Sequence, residues 1–384
     1  MSTNGWPMTP LVEIVDPVQR RVEVLPGQSY RTLGVKWWGE GAYERKTIDG
    51  SETAVKTLNE VCEDDLIINK IWVRNGSVAV VTGDVAGCVG SNEFPTFECR
   101  RHRVLPRWLH WYSKTRELWQ KCDALSQGSS GKNRIRPERF LTIDVPLPPL
   151  EEQQRIVARI DYLAERIEEV RDTRQLADDE TQALLRSRFS QLVESAPRQR
   201  MDDVAPLTRR KAEIREGETY AELGIRCFGN GTFHKPALDF LSVGTKKLYS
   251  IEPGDLVFSN VFAWEGAIAV AQPEDGGRYG SHRFITCVPE PGVAIADFLC
   301  FYFLTPEGME QIGEASPGGA GRNRTLGLKK LAEMEVPVPD FEQQQEFADL
   351  LRKVRQMQRE KDATAAELDA FLPSILDRAF RGEL

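Results

Sequence analysis

The chain has 384 residues, of which 41% are hydrophobic and 28% charged, and its formal net charge is −8. This length exceeds what one hydrophobic core usually supports, so we expect two domains with connecting elements. The N-terminal segment lacks the basic and apolar regions of a secretory signal, and no window reaches the roughly 18 apolar residues of a membrane span. We therefore expect a soluble, cytoplasmic protein.

The residue inventory argues against catalysis and metal binding. The seven cysteines contain no Cys-X-X-Cys pair, and only four histidines are present. This composition offers no zinc-ligand spacing and is typical of reduced thiols in a cytoplasm. The sequence also lacks a G-x-G-x-x-G loop, an Asn-Pro-Pro-aromatic motif and a helical histidine pair. We predict no catalytic residue, no metal site and no cofactor bound by this chain.

A long internal repeat organises the sequence. With a shift of 190 positions, YRTLGVKWWGEGAY from Tyr30 falls on YAELGIRCFGNGTF from Tyr220, and GKNR from Gly131 falls on GRNR from Gly321. Likewise, DLIINKIWVRNGSVAVV from Asp65 falls on DLVFSNVFAWEGAIAVA from Asp255. Solenoid repeats have periods of roughly 20 to 50 residues, so we interpret this repeat as a duplicated domain.

Each copy begins with a segment of mixed periodicity, residues 1–150 in the first copy and 196–340 in the second. Short β-branched runs alternate with glycine turns, and one helical stretch is predicted near Trp108–Leu125 or Ala296–Ile312. Asp65 and Asp255 each precede an apolar strand, where an aspartate most often closes a turn. The pattern predicts a compact α+β domain in each copy.

A proline-rich motif closes each α+β segment. Residues 145–156 read VPLPPLEEQQRI, and residues 336–347 read VPVPDFEQQQEF. Proline disfavours the helix interior and pushes its predecessor toward extended backbone, so a helix must start after the prolines. Acidic residues such as Glu151 and Glu342 suit the positive end of a helix dipole. We predict spacer helices over residues 151–195 and 341–384.

Both predicted helices carry an apolar stripe at heptad spacing. A helix of about 40 residues extends roughly 60 Å, and neither helix buries its stripe alone. We expect the two to pack on each other as a coiled coil between the domains, with Pro373 kinking or restarting the second. The residues assigned to this contact or to a partner are Ile156, Ile160, Leu163, Ile167, Val170, Phe347, Leu351, Val354 and Met357.

These features together resemble a known family. GSSGKNRI followed by VPLPPLEEQQRIVARID, the repetition of the whole unit, and the final LPSILDRAFRGEL resemble the specificity subunit of a type I restriction-modification enzyme over essentially the whole chain. The resemblance implies an α+β fold with two tandem target recognition domains, residues 1–150 and 196–340, separated by two long antiparallel coiled-coil helices. Each domain would read one half of a bipartite double-stranded DNA target.

The resemblance also implies partners and cofactors. Two modification (methyltransferase) subunits would dock on the helices, and restriction (translocase and nuclease) subunits would join through them. S-adenosylmethionine would belong to the modification partner, and ATP and Mg to the restriction partner if one is present. The chain itself would be a non-catalytic subunit without a membrane partner.

Candidate DNA-reading residues are those that differ between the copies on a shared scaffold. Arg, Lys and Asn suit base edges in the major groove. The alternative is that the aromatic residues belong to the core and the charged ones to ordinary solvated surface. The candidates are Lys36, Trp37, Tyr43, Lys70, Trp72, Arg74 and Asn92 in the first copy, and Arg226, Phe228, His234, Asn260, Phe262, Trp264, His282 and Arg283 as their counterparts in the second.

The glycine loops GSSGKNR and GGAGRNR are candidates for backbone contact with DNA. Glycine-rich turns expose N–H groups that cradle phosphate, and basic residues follow them. Neither loop is a Walker A motif, since no Ser or Thr follows the lysine. A plain structural turn is an equal alternative. The residues concerned are Lys132, Asn133, Arg134, Arg322, Asn323 and Arg324.

The charge distribution predicts weak DNA binding by the isolated chain. Residues 1–150 carry 20 Lys and Arg against 18 Asp and Glu, whereas residues 196–340 carry 16 against 20. The predicted helices are acidic, with 7 against 11 in 151–195 and 7 against 9 in 341–384. Local basic patches are expected at 100–103, 132–136, 209–211 and 322–324, and partner subunits would supply further phosphate contacts.

Two other functional classes stay open at this point. One is a stand-alone restriction endonuclease or modification enzyme, since a nuclease site assembled from scattered acids leaves no pattern. The other is a coiled-coil scaffold without a nucleic-acid role. The duplicated helix start and the AFRGEL ending favour the specificity subunit over both.

Overall fold

The computed structural model describes residues 6–126, 133–318 and 324–384. The chain divides into two compact units, Met1–Arg174 with Asp362–Leu384, and Gln175–Lys361. We call them the first and second unit. Each contains one α+β domain and parts of both long helices. No helix of the described ranges is both long and apolar enough to cross a membrane.

The α+β domain of the first unit is built from two main sheets. Its strands are β1 Met8–Pro10, β2 Val15–Val18, β3 Arg20–Glu23, β4 Ser29–Val35, β5 Ala42–Asp49, β6 Thr57–Glu60, β7 Leu66–Ile68, β8 Val78–Val80, β9 Val89–Gly90, β10 Thr96–Cys99 and β11 Asp144–Pro146. The strand orders of the two sheets are β2-β10-β7-β8 and β3-β6-β9-β4-β5, and β1 pairs with β11.

The second unit repeats this arrangement with one strand fewer in each main sheet. Its strands are β12 Arg198–Arg200, β13 Thr219–Ile225, β14 Thr232–Asp239, β15 Leu248–Ile251, β16 Leu256–Ser259, β17 Ile268–Val270, β18 Arg278–Ser281, β19 Phe284–Cys287 and β20 Glu335–Pro337. The sheets have the orders β14-β13-β18-β15 and β17-β16-β19, and β12 pairs with β20 as β1 pairs with β11.

Where one helical stretch was predicted in each copy, the structure has two helices. Thr115 and Thr305 interrupt the stretch because their hydroxyls accept hydrogen bonds from Leu118 N (3.4 Å) and Gly308 N (3.2 Å), which caps the second helix of each pair. The shorter helices are α1 Pro106–Tyr112, α2 Arg116–Leu125, α3 Pro137–Phe140, α5 Met201–Val204, α6 Phe240–Val243, α7 Ala296–Phe303, α8 Pro306–Glu314 and α9 Leu328–Glu333.

The two long helices are α4 Leu150–Val193 and α10 Phe341–Phe380, and each starts directly after the proline motif. They run antiparallel within each unit. In the first unit Arg171 Nη2 lies 3.0 Å from Asp369 Oδ1, and in the second Arg188 Nη2 lies 3.6 Å from Glu346 Oε2. Pro373 lies inside α10, which continues to Phe380, so of the two predicted effects, a kink or a restart, the restart is wrong. A proline removes only one backbone donor, and side-chain burial on either side holds the helix together.

The apolar stripe does not pack mainly on the other long helix, as was predicted. Ile156 and Ile160 are fully buried in the core of the first unit, and Phe347 and Leu351 in that of the second, so the stripe packs largely on the α+β domains. Ile167 is buried, whereas Leu163 and Val354 are half-buried.

Val170 and Met357 depart most from the stripe, since they are 43% and 64% exposed. The contacts between α4 and α10 near them are polar. In the first unit Arg174 Nη2 donates to Thr364 Oγ1 at 3.0 Å, and in the second Lys361 pairs with Asp178. Heptad spacing alone therefore overstated the apolar seam between the helices.

A buried glutamine explains the repeated motif. The Gln153 side chain is fully buried, its Oε1 accepts from Leu105 N (2.9 Å), and its Nε2 donates to the carbonyls of Arg103 (3.0 Å) and Pro148 (2.9 Å). In the second unit Gln344 is buried likewise and makes the same three bonds, to Ile295 N, Val293 O and Pro339 O. We call this contact the glutamine latch. It fixes the first turn of each long helix to the loop before α1 or α7.

A second repeated contact lies between the sheets. Asp65 and Asp255 are buried, and each forms an ion pair with an arginine, at 2.5 Å from Arg20 and 2.7 Å from Arg210. Each aspartate also accepts a backbone N–H three residues earlier, from Cys62 at 2.8 Å or Glu252 at 2.9 Å. Both aspartates therefore close a turn, as expected from the sequence.

The glutamine latch predicts a large stability loss for a near-isosteric change. Gln153→Leu leaves a buried N–H and two buried carbonyls unpaired, so we expect the first unit to lose about 2 kcal/mol or more of unfolding free energy. Thermal and urea unfolding of the full chain measure this. The control is Gln154→Leu at the neighbouring exposed position. Equal stability of the two variants would contradict the role given to the latch.

The end of α10 forms part of the first domain's core. Phe380 is 7% exposed, and its ring centroid lies 4.7 Å from that of Trp108 and 5.0 Å from that of Tyr112. Phe380→Ala should cost about 3–5 kcal/mol of unfolding free energy. Phe371→Ala in the same helix should be nearly neutral, because Phe371 is 57% exposed. Chemical denaturation followed by tryptophan fluorescence distinguishes them, and similar losses would refute this assignment.

Candidate nucleic-acid interface

A tight loop at the end of one hairpin presents the first group of candidate residues. It joins β4 to β5 in the first copy and β13 to β14 in the second. The loops close through Lys36 N to Gly41 O and Arg226 N to Gly231 O, both at 2.9 Å. We call residues 36–41 and 226–231 the hairpin loops. The cation at the start of each is exposed.

Each hairpin loop is fixed to a short 3₁₀ turn, Val73–Asn75 or Ala263–Glu265. In the first copy Trp38 N donates to Asn75 O (2.7 Å) and Gly39 N to Gly76 O (2.9 Å). In the second, Phe228 N donates to Glu265 O (2.8 Å) and Gly229 N to Gly266 O (2.9 Å). The same arrangement of a hairpin loop bonded to a 3₁₀ turn therefore occurs in both copies, and we call it the backbone frame.

Aromatic side chains are exposed on this frame. Trp37 is 44%, Trp38 55% and Trp72 38% exposed, and the Trp37 and Trp72 ring centroids lie 5.0 Å apart. In the second copy Phe228 is 80% and Phe262 40% exposed. Exposed aromatic residues clustered with cations are suited to stacking on bases. The core alternative does not hold for these residues.

The pairing of candidates between the copies needs two corrections. Gly34 pairs with Tyr43 in one hairpin and Gly224 with Phe233 in the other, so Tyr43 corresponds to Phe233 and His234 to Glu44. A cation lies over each of these rings, Lys36 over Tyr43 at 5.9 Å and Arg226 over Phe233 at 5.2 Å. Likewise, the shared frame aligns Phe228 with Trp38, which sequence reasoning missed, and Trp37 with Cys227.

A second group of candidates is placed by backbone bonds among three segments. In the first copy Lys70 N donates to Glu93 O, and Ile135 N to Lys70 O, both at 3.0 Å. The side chain of Glu93 lies 3.3 Å from Arg134 Nη1 and 4.0 Å from Lys70 Nζ. A carboxylate thus offsets part of the positive charge of Lys70 and Arg134.

The second copy has the same three-segment junction with other side chains. Asn260 N donates to Arg283 O (2.7 Å) and Leu326 N to Asn260 O (2.8 Å). The Asn260 amide also donates to Leu326 O at 2.9 Å, which gives this candidate a structural role. Arg324 lies 5.3 Å above the half-buried ring of Trp264. Arg283 occupies the position of Glu93 and is exposed.

The remaining candidates are spread over the two domains. His234 Nε2 lies 3.0 Å from Oδ1 of the buried Asp275, and Asn92 Oδ1 accepts from Asn59 Nδ2 at 3.1 Å. Arg74 and Asn133 are half-buried and His282 is exposed. Arg74 lines a cleft of about 1200 Å³ whose other walls include α2 and the end of α10. Lys132, Arg322 and Asn323 lie outside the described residues.

The expected basic patch at residues 100–103 is neutralised by ion pairs. Arg100 Nη2 lies 2.6 Å from Asp16, Arg101 Nη2 2.6 Å from Asp64, and Arg103 Nη1 3.4 Å from Glu13. Hydrogen bonding to Arg100 lowers the pKa of Asp16. A count of charges along the sequence could not show these acidic partners, and the ion pairs reduce the net positive charge of this patch.

A half-buried lysine, Lys114, supports the first hairpin loop. Lys114 Nζ donates to Gly39 O at 2.8 Å and lies 5.8 Å from the centre of the Trp111 ring. Burial lowers the pKa of Lys114, and burial also lowers the pKa of the nearby His110 to about 3. In the second copy Leu304 occupies this place, with its Cδ1 2.7 Å from where a Cβ on Gly229 would lie. The two loops thus rest on chemically different supports.

Across the described residues, no group of three His, Cys, Asp or Glu side chains is arranged to hold a metal ion. The cysteines in this part of the chain are free thiols. Burial raises the pKa of Cys287 and Cys300 to about 12, which makes these two thiols poor nucleophiles.

Comparison with known proteins identifies the first domain. Residues 34–176 match the family model of the type I restriction modification DNA specificity domain. This stretch of the chain is similar to that domain and includes most of the first α+β domain and the start of α4. The resemblance found in the sequence is thereby confirmed. No curated protein shows significant sequence similarity to the chain.

Solved structures extend the likeness of fold to the whole chain. An HsdS subunit from Thermoanaerobacter tengcongensis matches with TM-score 0.60 and 22% identity, covering 99% of this chain and 97% of that one. A chain from work on complex assembly and conformational transition of the type I R-M system matches with TM-score 0.67 and 22% identity, covering 99% and 98%. A type I S subunit from M. genitalium matches with TM-score 0.52 and 13% identity, covering 98% and 96%. These likenesses establish the specificity-subunit fold.

The Glu93 ion pairs predict a gain of DNA affinity on removing one charge. Glu93→Gln leaves Lys70 and Arg134 without their carboxylate, so affinity for duplex DNA at low salt should rise. The slope of log affinity against log salt should steepen by up to about one. Fluorescence anisotropy of a labelled DNA duplex titrated with the purified chain, repeated at several salt concentrations, measures this. Glu13→Gln, which releases Arg103 instead, is the control. An unchanged slope would place Lys70 and Arg134 away from DNA.

Proposed function

We propose that the chain is the DNA sequence-specificity subunit of a type I restriction-modification enzyme. Each α+β domain reads one half of a bipartite double-stranded DNA target. The observation that carries this proposal is the specificity-domain match, joined with two copies of one backbone frame that bear different exposed side chains. Those side chains are Lys36, Trp37, Trp38 and Trp72 in one copy, and Arg226, Phe228 and Phe262 in the other.

The long helices have two roles in this proposal. As stiff elements they fix the gap between the half-sites, since two linked readers engage one face of DNA at separations of about one helical turn, roughly 34 Å. Linking the readers also makes the second contact intramolecular, which raises avidity without new base contacts.

The helices also dock two modification subunits. Exposed apolar side chains on α4 and α10 support this role, because a charged helix that faces only water does not require large apolar residues on its surface. Those that are at least 43% exposed are Tyr162, Val170, Leu176, Leu184, Met357 and Phe371. Restriction subunits join through the modification subunits. S-adenosylmethionine then serves the modification partner, and ATP and Mg the restriction partner, while this chain stays non-catalytic.

The experiment is co-expression with a type I modification subunit from the same genome, followed by mapping of N6-methyladenine in genomic DNA. We expect one bipartite motif with a fixed gap. Replacing residues 1–150 with the same segment of another specificity subunit should change only one half of that motif. The control is replacement of residues 196–340, which should change only the other half.

Other outcomes separate the remaining functional classes. Methyl transfer or magnesium-dependent cleavage by the purified chain alone would indicate a stand-alone enzyme. Absence of a motif, with no complex formed, would favour a coiled-coil scaffold.

A further inference from the structure

Two bulky residues occupy the same unusual backbone conformation in the two copies. Trp38 has φ 56° and Phe228 has φ 59°, both in the left-handed region. L-residues with side chains are rare there because Cβ crowds the following carbonyl oxygen, and a bulky residue is a clear outlier. The recurrence at equivalent positions shows that this geometry belongs to the frame.

The frame requires the backbone conformation but not the side chain. The N–H groups of residues 38 and 228 bond to the 3₁₀ turns whatever side chain stands there, and glycine adopts positive φ without strain. Burial does not explain the aromatic rings either, because Trp38 is 55% and Phe228 80% exposed. Aromatic residues therefore occupy positions where glycine would cause less backbone strain. Strain held at an exposed position is typical of functional sites.

The surroundings suit a nucleic acid. Two residues before each ring stand the exposed cations Lys36 and Arg226. Trp38 packs on Trp119, with ring centroids 5.7 Å apart. The carbonyls of Gly76 and Gly266 accept hydrogen bonds from Gly39 N and Gly229 N, which holds the 3₁₀ turn close to each loop. A cation beside an exposed flat ring complements a phosphate beside a base.

Resting on the proposed function, we infer that Trp38 and Phe228 contact the bases of their half-sites directly, each ring stacking on or wedging into a base step. Aromatic side chains inserted at base steps partly unstack them, and loss of such a contact weakens binding. The Trp38 ring serves the first half-site and the Phe228 ring the second. The hairpin loop holds each ring out in advance, so little ordering is needed when DNA binds.

The test uses glycine, which relieves the backbone strain while removing the ring. In the complex with modification subunits, Phe228→Gly should lower affinity for a duplex carrying the mapped motif by about tenfold. The melting temperature of the chain should stay the same or rise. Trp38→Gly should weaken binding through the first half-site in the same way. Leu241→Ser, at another exposed position (84%) of the second copy, is the control and should change neither.

The readouts separate this inference from its alternatives. A duplex with 2-aminopurine in the second half-site should gain fluorescence on binding the parent complex and less on binding Phe228→Gly. A lower melting temperature with unchanged affinity would mean that the ring is structural and would overturn the inference. Loss of complex assembly without DNA would assign the loop to a protein partner instead. If the parent complex methylates no motif at all, the proposed function itself has failed.

Discussion

The glutamine latch holds each long helix at a fixed point of its domain, and the rest of each unit is arranged around that point. Gln153 and Gln344 satisfy one buried N–H and two buried carbonyls each. Because both ends of the amide are used, the side chain has one orientation and the first helical turn one position. A long helix amplifies any error at its start, so this anchor fixes the direction in which each helix leaves its own domain.

Much of the fold followed from the sequence because the duplication and the proline motifs are local signals. The helix starts, the turns at Asp65 and Asp255 and the repeated α+β pattern all depend on neighbouring residues. The glutamine latch did not follow, since its partners lie about 50 residues away from each glutamine. The exposure of Val170 and Met357 was also hidden, because the register of α4 against α10 decides which contacts are polar.

The candidate site shows a similar division. Exposed aromatic residues at Trp37, Trp72, Phe228 and Phe262 were found by comparing the copies. Trp38 was overlooked although the 190-residue shift aligns it with Phe228. The ion pairs of Arg100, Arg101 and Arg103 were out of reach, because their acidic partners lie at least 37 residues away. Charge clusters in a sequence thus say little about surface potential until their partners are known.

The place of the last helical turns bears on the order in which the protein folds during synthesis. The core of the first unit includes Leu376, Ala379 and Phe380, which are synthesised after the whole of the second unit. The second unit lies within one continuous stretch, Gln175–Lys361. The domain made first therefore completes its core only after the second unit has been synthesised, and until then the surface formed by Trp108 and Tyr112 lacks the end of α10. A nascent chain that stalls late would expose this surface to chaperones and proteases.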